Sequence, residues 1–123
     1  METPKIFESE YRFLLILWEH QPVSSTELVR LCREQLEWKK STTYTVIKRL
    51  GERGVVKLEN ATVTALVTRD QVQLSESREF LGRTFGGSLP AFIAAFTGGK
   101  ALSREDAQAI RQLIDQYEEQ RHE

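Results

Sequence analysis

In 123 residues, 40% apolar and 28% charged, there is room for one domain or for one small domain with an appendage, and the mix is that of a folded rather than a disordered chain. The longest apolar run, Phe13 to Trp18, falls far short of the ~20 residues of a membrane helix, so no membrane insertion is expected. A net charge of −1 decides nothing about nucleic acid, because the distribution of charge matters there and not its sum.

The first five residues, Met1-Glu2-Thr3-Pro4-Lys5, lack the basic-then-apolar pattern of a secretory signal, and a cytoplasmic location is expected. A first helix is predicted over Ser9 to His20, with Tyr11, Leu14, Leu15 and Trp18 on one face, widened by Phe13 and Leu17. Gln21-Pro22 ends it, since the residue before proline avoids the helical region. A second helix opens at Ser24, which stands at capping-box spacing from Glu27. Leu28, Leu31, Cys32 and Leu36 then recur at helical spacing. The single cysteine, Cys32, excludes an internal disulfide and reads as a small buried apolar residue. After Glu37-Trp38-Lys39-Lys40, Ser41 is the expected N-cap of a third helix whose inner face is Thr43, Val46, Ile47 and Leu50. Gly54 suits the left-handed position that stops it. Val55 to Leu58 and the alternating, β-branched stretch Thr62 to Thr68 read as a hairpin around Glu59-Asn60-Ala61.

Three further helical segments follow. The first covers Arg69 to Thr84 and is broken by Gly86-Gly87. The second is capped by Ser88 with Pro90 in its first turn, and ends at Gly98-Gly99. The last begins after Ser103 and carries Ile110, Leu113, Ile114 and Tyr117 on one stripe. The expected fold is therefore mostly α with a small β-hairpin: a winged helix-turn-helix domain over residues 1–70 and a helical dimerisation region over residues 71–123. So short a helical region buries too little surface to stand alone. Its apolar side chains, Phe80, Phe85, Leu89, Phe92, Ile93, Phe96, Ile110, Leu113, Ile114 and Tyr117, are the expected contacts of a homodimer.

Charge divides the chain. Between Trp38 and Arg53 five cations, Lys39, Lys40, Lys48, Arg49 and Arg53, face only Glu52, whereas from Gln112 onward Asp115, Glu118, Glu119 and Glu123 face only Arg121. The outer side of the third helix presents Ser41, Thr45, Lys48 and Glu52, with Tyr44 and Arg49 on its flanks. Small polar side chains let a helix sit deep in the DNA major groove, and cations reach phosphates. The expected double-stranded-DNA contacts are Lys39, Lys40, Ser41, Thr42, Tyr44, Thr45, Lys48, Arg49, Arg53 and Lys57. The competing reading takes the same cations as a solvated face of a winged-helix protein-interaction module that reads no DNA sequence. Enzyme chemistry finds no footing: there is no Ser/His/Asp or Cys/His set, no phosphate-binding glycine loop, and no metal constellation around Cys32, His20 and His122. No cofactor is expected.

These features together resemble the penicillinase repressor family, the BlaI/MecI/CopY group. The similarity lies in Leu17-Trp18-Glu19, in the step Pro22-Val23-Ser24, in Trp38 ahead of Ser41 to Leu50, and in Glu52-Arg53-Gly54-Val55. In the tail it lies in Phe85-Gly86-Gly87-Ser88-Leu89 followed by Phe96, then Leu102-Ser103 and an acidic last helix. The resemblance implies a homodimeric transcriptional repressor of β-lactam-resistance or copper-export genes that binds a two-fold symmetric operator. For the β-lactam branch it also implies a membrane sensor-protease system that cleaves the tail, commonly at an Asn-Phe bond. The matching bond here is Ala95-Phe96, with alanine in place of asparagine. The Cys-x-Cys metal site of copper-responsive members is missing. The wing lacks the Gly-Arg and tyrosines usual in the family, and Ser41 stands where lysine is frequent.

Overall fold

The computed structural model describes residues 3–121, and the side chains as far as Glu118. Six helices and three short strands follow one another: α1 (Glu8–His20), β1 (Val23–Ser24), α2 (Ser25–Leu36), α3 (Lys40–Glu52), β2 (Val56–Glu59), β3 (Thr62–Ala65), α4 (Arg69–Phe85), α5 (Leu89–Thr97) and α6 (Arg104–Arg121). The fold is the expected one, mostly helical with a small antiparallel sheet. The chain forms two compact units, the first ending at Phe80 and the second beginning at Leu81, so the division falls inside α4.

In the first unit Phe13, Leu14, Leu17, Leu28, Cys32, Leu50, Val55, Val63 and Val72 are wholly buried, and Ile16 and Ile47 nearly so. Side chains spaced three and four apart on α1, α2 and α3 close on one another, and each large one buried contributes about 1.5–3 kcal/mol. The buried stripe of α1 is Glu10, Phe13, Leu14, Ile16 and Leu17, turned by about one residue from the face expected from Tyr11, Leu14, Leu15 and Trp18. Two polar tasks set that rotation. Trp18 stays at the rim, where its Nε1 donates to the Val67 carbonyl at 3.0 Å, and Glu10 turns inward to meet Arg53. Leu15 is left partly exposed.

The boundaries of α2 and α3 follow from their caps. Ser24 Oγ accepts from the Glu27 backbone N–H at 3.1 Å, as the Ser-x-x-Glu spacing predicts. At the other end Glu37 adopts a left-handed φ of 58° and reverses the chain. The N-cap of α3 is Lys39, not Ser41. Helix α3 starts at Lys40, so Ser41 lies within its first turn and its hydroxyl is not spent on capping.

The sheet has the order β1-β3-β2, all antiparallel. The two-residue strand β1 is too short to leave a periodic signal, and sequence reasoning passes over it. It pairs Val23 with Val63 and Ser24 with Thr62, while Leu58 pairs with Val63 from the other side. The hairpin turns through Asn60 and Ala61, both with positive φ (53° and 60°), the geometry whose twist matches paired strands. Strand β3 is shorter than expected because Gln21 Oε1 takes the Ala65 N–H at 2.8 Å and Trp18 takes the Val67 carbonyl. Helix α4 begins with a reciprocal cap between Thr68 and Gln71.

In the second unit no described residue is buried. Ser88 and Ser103 cap α5 and α6 as expected, accepting from Ala91 N at 3.1 Å and Asp106 N at 3.0 Å. The paired glycines at 86–87 and 98–99 all have positive φ and break the helices there.

Candidate nucleic-acid interface

Helix α3 is built with two unlike sides. Thr43, Val46, Ile47 and Leu50 are buried against the core, while Ser41, Thr42, Tyr44, Thr45, Lys48 and Arg49 are exposed, as are Lys39 and Lys40 at its N-terminal end. The structure therefore brings eight of the ten expected DNA-contacting residues onto one helix and its entry.

Among the described residues, ion pairs engage some cations of the first unit and leave others free, including the exposed Arg33, Arg69 and Arg78 of α2 and α4. Arg12 is tied to Glu8, Arg30 to Glu27 and Glu34, and Lys5 to Glu79. Among the described residues Lys39, Lys40, Lys48 and Arg49 have no carboxylate partner within salt-bridge distance. Four like charges held together on the solvent side of a rigid helix, with Glu52 at its last turn as the one anion of α3, raise the local positive potential, which a polyanion relieves. The positive N-terminal end of the α3 dipole acts in the same sense.

The polar side chains differ in their freedom. Thr45 donates its hydroxyl to the Ser41 carbonyl one turn back at 2.9 Å, which leaves its lone pairs to accept. Tyr44 Oη lies 3.4 Å from Ser25 Oγ at the start of α2, and that long contact sets the ring on the edge of α3 facing α2. Ser41 and Thr42 have no side-chain bond among the described residues.

Two of the ten expected residues stand elsewhere. Lys57, on β2, is paired with Glu59 on the same strand at 3.0 Å, both side chains more than half exposed; an exposed pair is weak and exchanges partners easily. Arg53 is engaged within the first unit instead of pointing out from α3. Its Nη2 and Nη1 donate to Glu10 Oε1 at 2.6 Å and Oε2 at 3.0 Å, and Nη2 also donates to the Lys5 carbonyl at 2.8 Å. Its guanidinium carbon lies 5.6 Å from the Phe7 ring centroid. A guanidinium so engaged has no free fork for a phosphate.

Sequence reasoning missed Glu10, Trp18 and Gln21 as polar anchors of this surface. One signal was present: Glu10 precedes Phe13 and Leu14 by three and four residues, so a helix that buries those two carries the carboxylate inward.

The second unit presents apolar surface. Phe85, Phe92 and Phe96 form a chain of ring contacts, with centroids 5.5 and 5.8 Å apart. Phe96 is 73% exposed, Tyr117 60%, Leu89 58%, Ile114 56% and Leu113 51%. Phe92, Ile93, Phe96, Leu102 and Ile110 line a groove of about 210 Å³ between α5 and α6. Of the other expected dimer contacts, Phe80, in the first unit, is 42% exposed. The expected scissile residues, Ala95 and Phe96, are both exposed on α5.

No helix among the described residues is long and apolar enough to cross a membrane. No group of three or more His, Cys, Asp or Glu among them is placed to hold a metal ion.

Comparison with known proteins agrees with this geometry. The family description "Penicillinase repressor" matches residues 6–116. The chain is 22% identical over 118 residues to the methicillin resistance regulatory protein MecI of Staphylococcus aureus, covering 93% of this chain and 96% of that one. It is 21% identical over 127 residues to the penicillinase repressor of Bacillus licheniformis, covering 99% and 98%. A 16.5 kDa protein of Latilactobacillus sakei is 29% identical over 120 residues, covering 91% and 80%.

Proposed function

The chain belongs to the penicillinase repressor family, a family of transcriptional repressors rather than enzymes, and on that footing we propose that it binds a two-fold symmetric operator as a homodimer, with α3 of each protomer in a major groove. The observation that carries this reading is the set of four unpaired cations, Lys39, Lys40, Lys48 and Arg49, on the exposed side of a helix whose other side is locked in the core. On this reading Ser41, Thr42, Tyr44 and Thr45, which lie between them in the chain, meet base edges, and the flanking cations meet phosphates.

The second unit supports dimerisation. A short helical unit in which nothing described is buried, and which exposes Leu89, Phe96, Leu113, Ile114 and Tyr117, needs a partner to remove that surface from water. A second copy supplies the same apolar stripes and sets two copies of α3 on one duplex. A named relative is a penicillinase repressor and another a methicillin resistance regulator, and we place the regulated genes in that class. Cleavage of Ala95-Phe96 by a membrane sensor-protease system would detach α6, and with it Leu113, Ile114 and Tyr117. Operator affinity then falls because the dimer does.

Fluorescence anisotropy on labelled mixed-sequence duplexes at roughly 50 to 200 mM salt tests the DNA surface. Four free cations on each of two protomers set a ceiling of about −7 on the slope of log affinity against log salt. Lys48→Glu should weaken binding and make the slope shallower by about 2 per dimer. An affinity that is flat with salt, or indifferent to Lys48→Glu, would contradict the proposal and leave the cations as the solvated face of an interaction module.

A further inference from the structure

We infer that Glu10 and Arg53 form a positioning pair that aims α3 at DNA, so that Arg53 serves sequence recognition without touching the nucleic acid; this rests on the DNA-binding reading above.

Arg53 is the residue on which α3 ends. Its backbone N–H closes on the Arg49 carbonyl at 3.2 Å, and the chain then turns through Gly54. Its side chain leaves the exposed side of α3 altogether. It is held from three directions: by both carboxylate oxygens of Glu10, by the Lys5 carbonyl, and by the face of the Phe7 ring. Glu10 is fixed in turn. Only 6% exposed, it also accepts the Phe7 backbone N–H at 2.9 Å as the closing half of the cap on α1. One carboxylate thus ties the start of α1, the segment ahead of it and the end of α3 into a single joint.

A bidentate guanidinium-carboxylate contact has one geometry, because two parallel N–H···O bonds fix both distance and plane. Apolar packing along Thr43, Val46, Ile47 and Leu50 holds α3 in the core but, being non-directional, leaves more freedom of rotation about its axis than a bidentate contact does. The joint removes that freedom at the C-terminal end. Base-edge hydrogen bonds from Thr42 or Thr45 need tenths of an ångström, whereas phosphate attraction from Lys48 and Arg49 does not. Loosening the joint should therefore cost discrimination more than it costs charge-driven binding.

The test compares Glu10→Gln and Arg53→Lys with the wild type. Two duplexes are used, the one most enriched from a random-sequence selection and a scrambled duplex of the same length and composition. Circular dichroism at the assay temperature establishes that each variant is folded. The expected result for Glu10→Gln is a preference for the selected duplex reduced by about tenfold, the scale of one lost base contact, with the salt slope unchanged. Arg53→Lys, which keeps the charge and one bond, should fall between; should Glu10→Gln not fold, Arg53→Lys decides the matter alone. Three results overturn the inference. Equal loss on both duplexes would make the pair merely structural. A steeper slope and tighter scrambled-duplex binding in Glu10→Gln would mean that the freed Arg53 is itself a phosphate ligand. A wild-type protein that does not prefer its selected duplex would remove the DNA-binding reading and this inference with it, an outcome visible before any variant is measured.

Discussion

Trp38 and Phe13 stack with their rings nearly parallel, at an interplanar angle of 5° and with 6.2 Å between centroids, so that the residue ahead of the α3 N-cap rests on the buried middle of α1. Arg53 is bonded to Glu10 of the same helix at the other end of α3. Helix α3 is thus pinned to α1 at its entry by an aromatic contact and at its exit by an ionic one, with an apolar face between. Rigid support of this kind is what a surface needs if it is to hold polar side chains at fixed depth.

Removing the entry contact has a measurable cost. Trp38→Ala should lower unfolding free energy by about 3 kcal/mol, the low end for a large aromatic because Trp38 is only half-buried. Urea unfolding followed by circular dichroism reads it. A loss below about 1 kcal/mol would mean that the stacking does not hold α3.

The wing turn offers a gain. Ala61 has a φ of 60°, where its Cβ crowds the following carbonyl and where glycine is at ease. Ala61→Gly should stabilise the first unit by about 1 kcal/mol, seen as a higher urea midpoint with the slope unchanged.

Cys32 is wholly buried and should behave as an inert thiol. Burial pushes its pKa up, and the neighbouring Thr43 hydroxyl pulls it only part of the way back. Native protein should resist alkylating reagents that label the unfolded chain at once. The folded chain holds this proton more tightly than the unfolded one. The contribution is therefore constant below the ordinary thiol range and is lost as pH rises above it. Cys32→Ala should flatten that alkaline decline. Rapid labelling of folded protein would place the thiol at the surface.

The proposed dimer surface is tested by charge. Ile114→Asp places a carboxylate in the middle of the stripe formed by Ile110, Leu113 and Tyr117, and should weaken association by about 100-fold or more. Sedimentation should show the chain passing from a dimer to a monomer at micromolar concentration. A variant that stays dimeric would move the interface elsewhere.

The sequence was informative wherever a local rule settles the structure alone. Ser24, Ser88 and Ser103 each cap a helix through a hydroxyl aimed at a backbone N–H three residues on, and that spacing is visible in the chain. The inner face of α3 was legible from the spacing of Thr43, Val46, Ile47 and Leu50. What could not be read were choices made between distant segments. Arg53 looks like any cation after a basic helix; the approach of Glu10, 43 residues away, with Lys5 and Phe7 beside it, is what engages its guanidinium. Strand β1 is made a strand by Val63 and Thr62, not by its own two residues. Ser41 was expected to cap α3, yet Lys39 takes that place because the left-handed turn at Glu37 starts the helix earlier. The candidate site was thus legible in its exposed residues, which obey helical periodicity, and illegible in the anchors that orient them.

Whether α3 reads DNA as one half of a symmetric pair is decided by selecting bound duplexes from a random-sequence pool at moderate salt and sequencing them. The expected outcome is enrichment of a two-fold symmetric motif whose half-sites are centred about one helical turn, or a whole multiple of it, apart. That enrichment should be lost in Ile114→Asp. A folded, dimeric protein that enriches no motif would refute a reading role for α3.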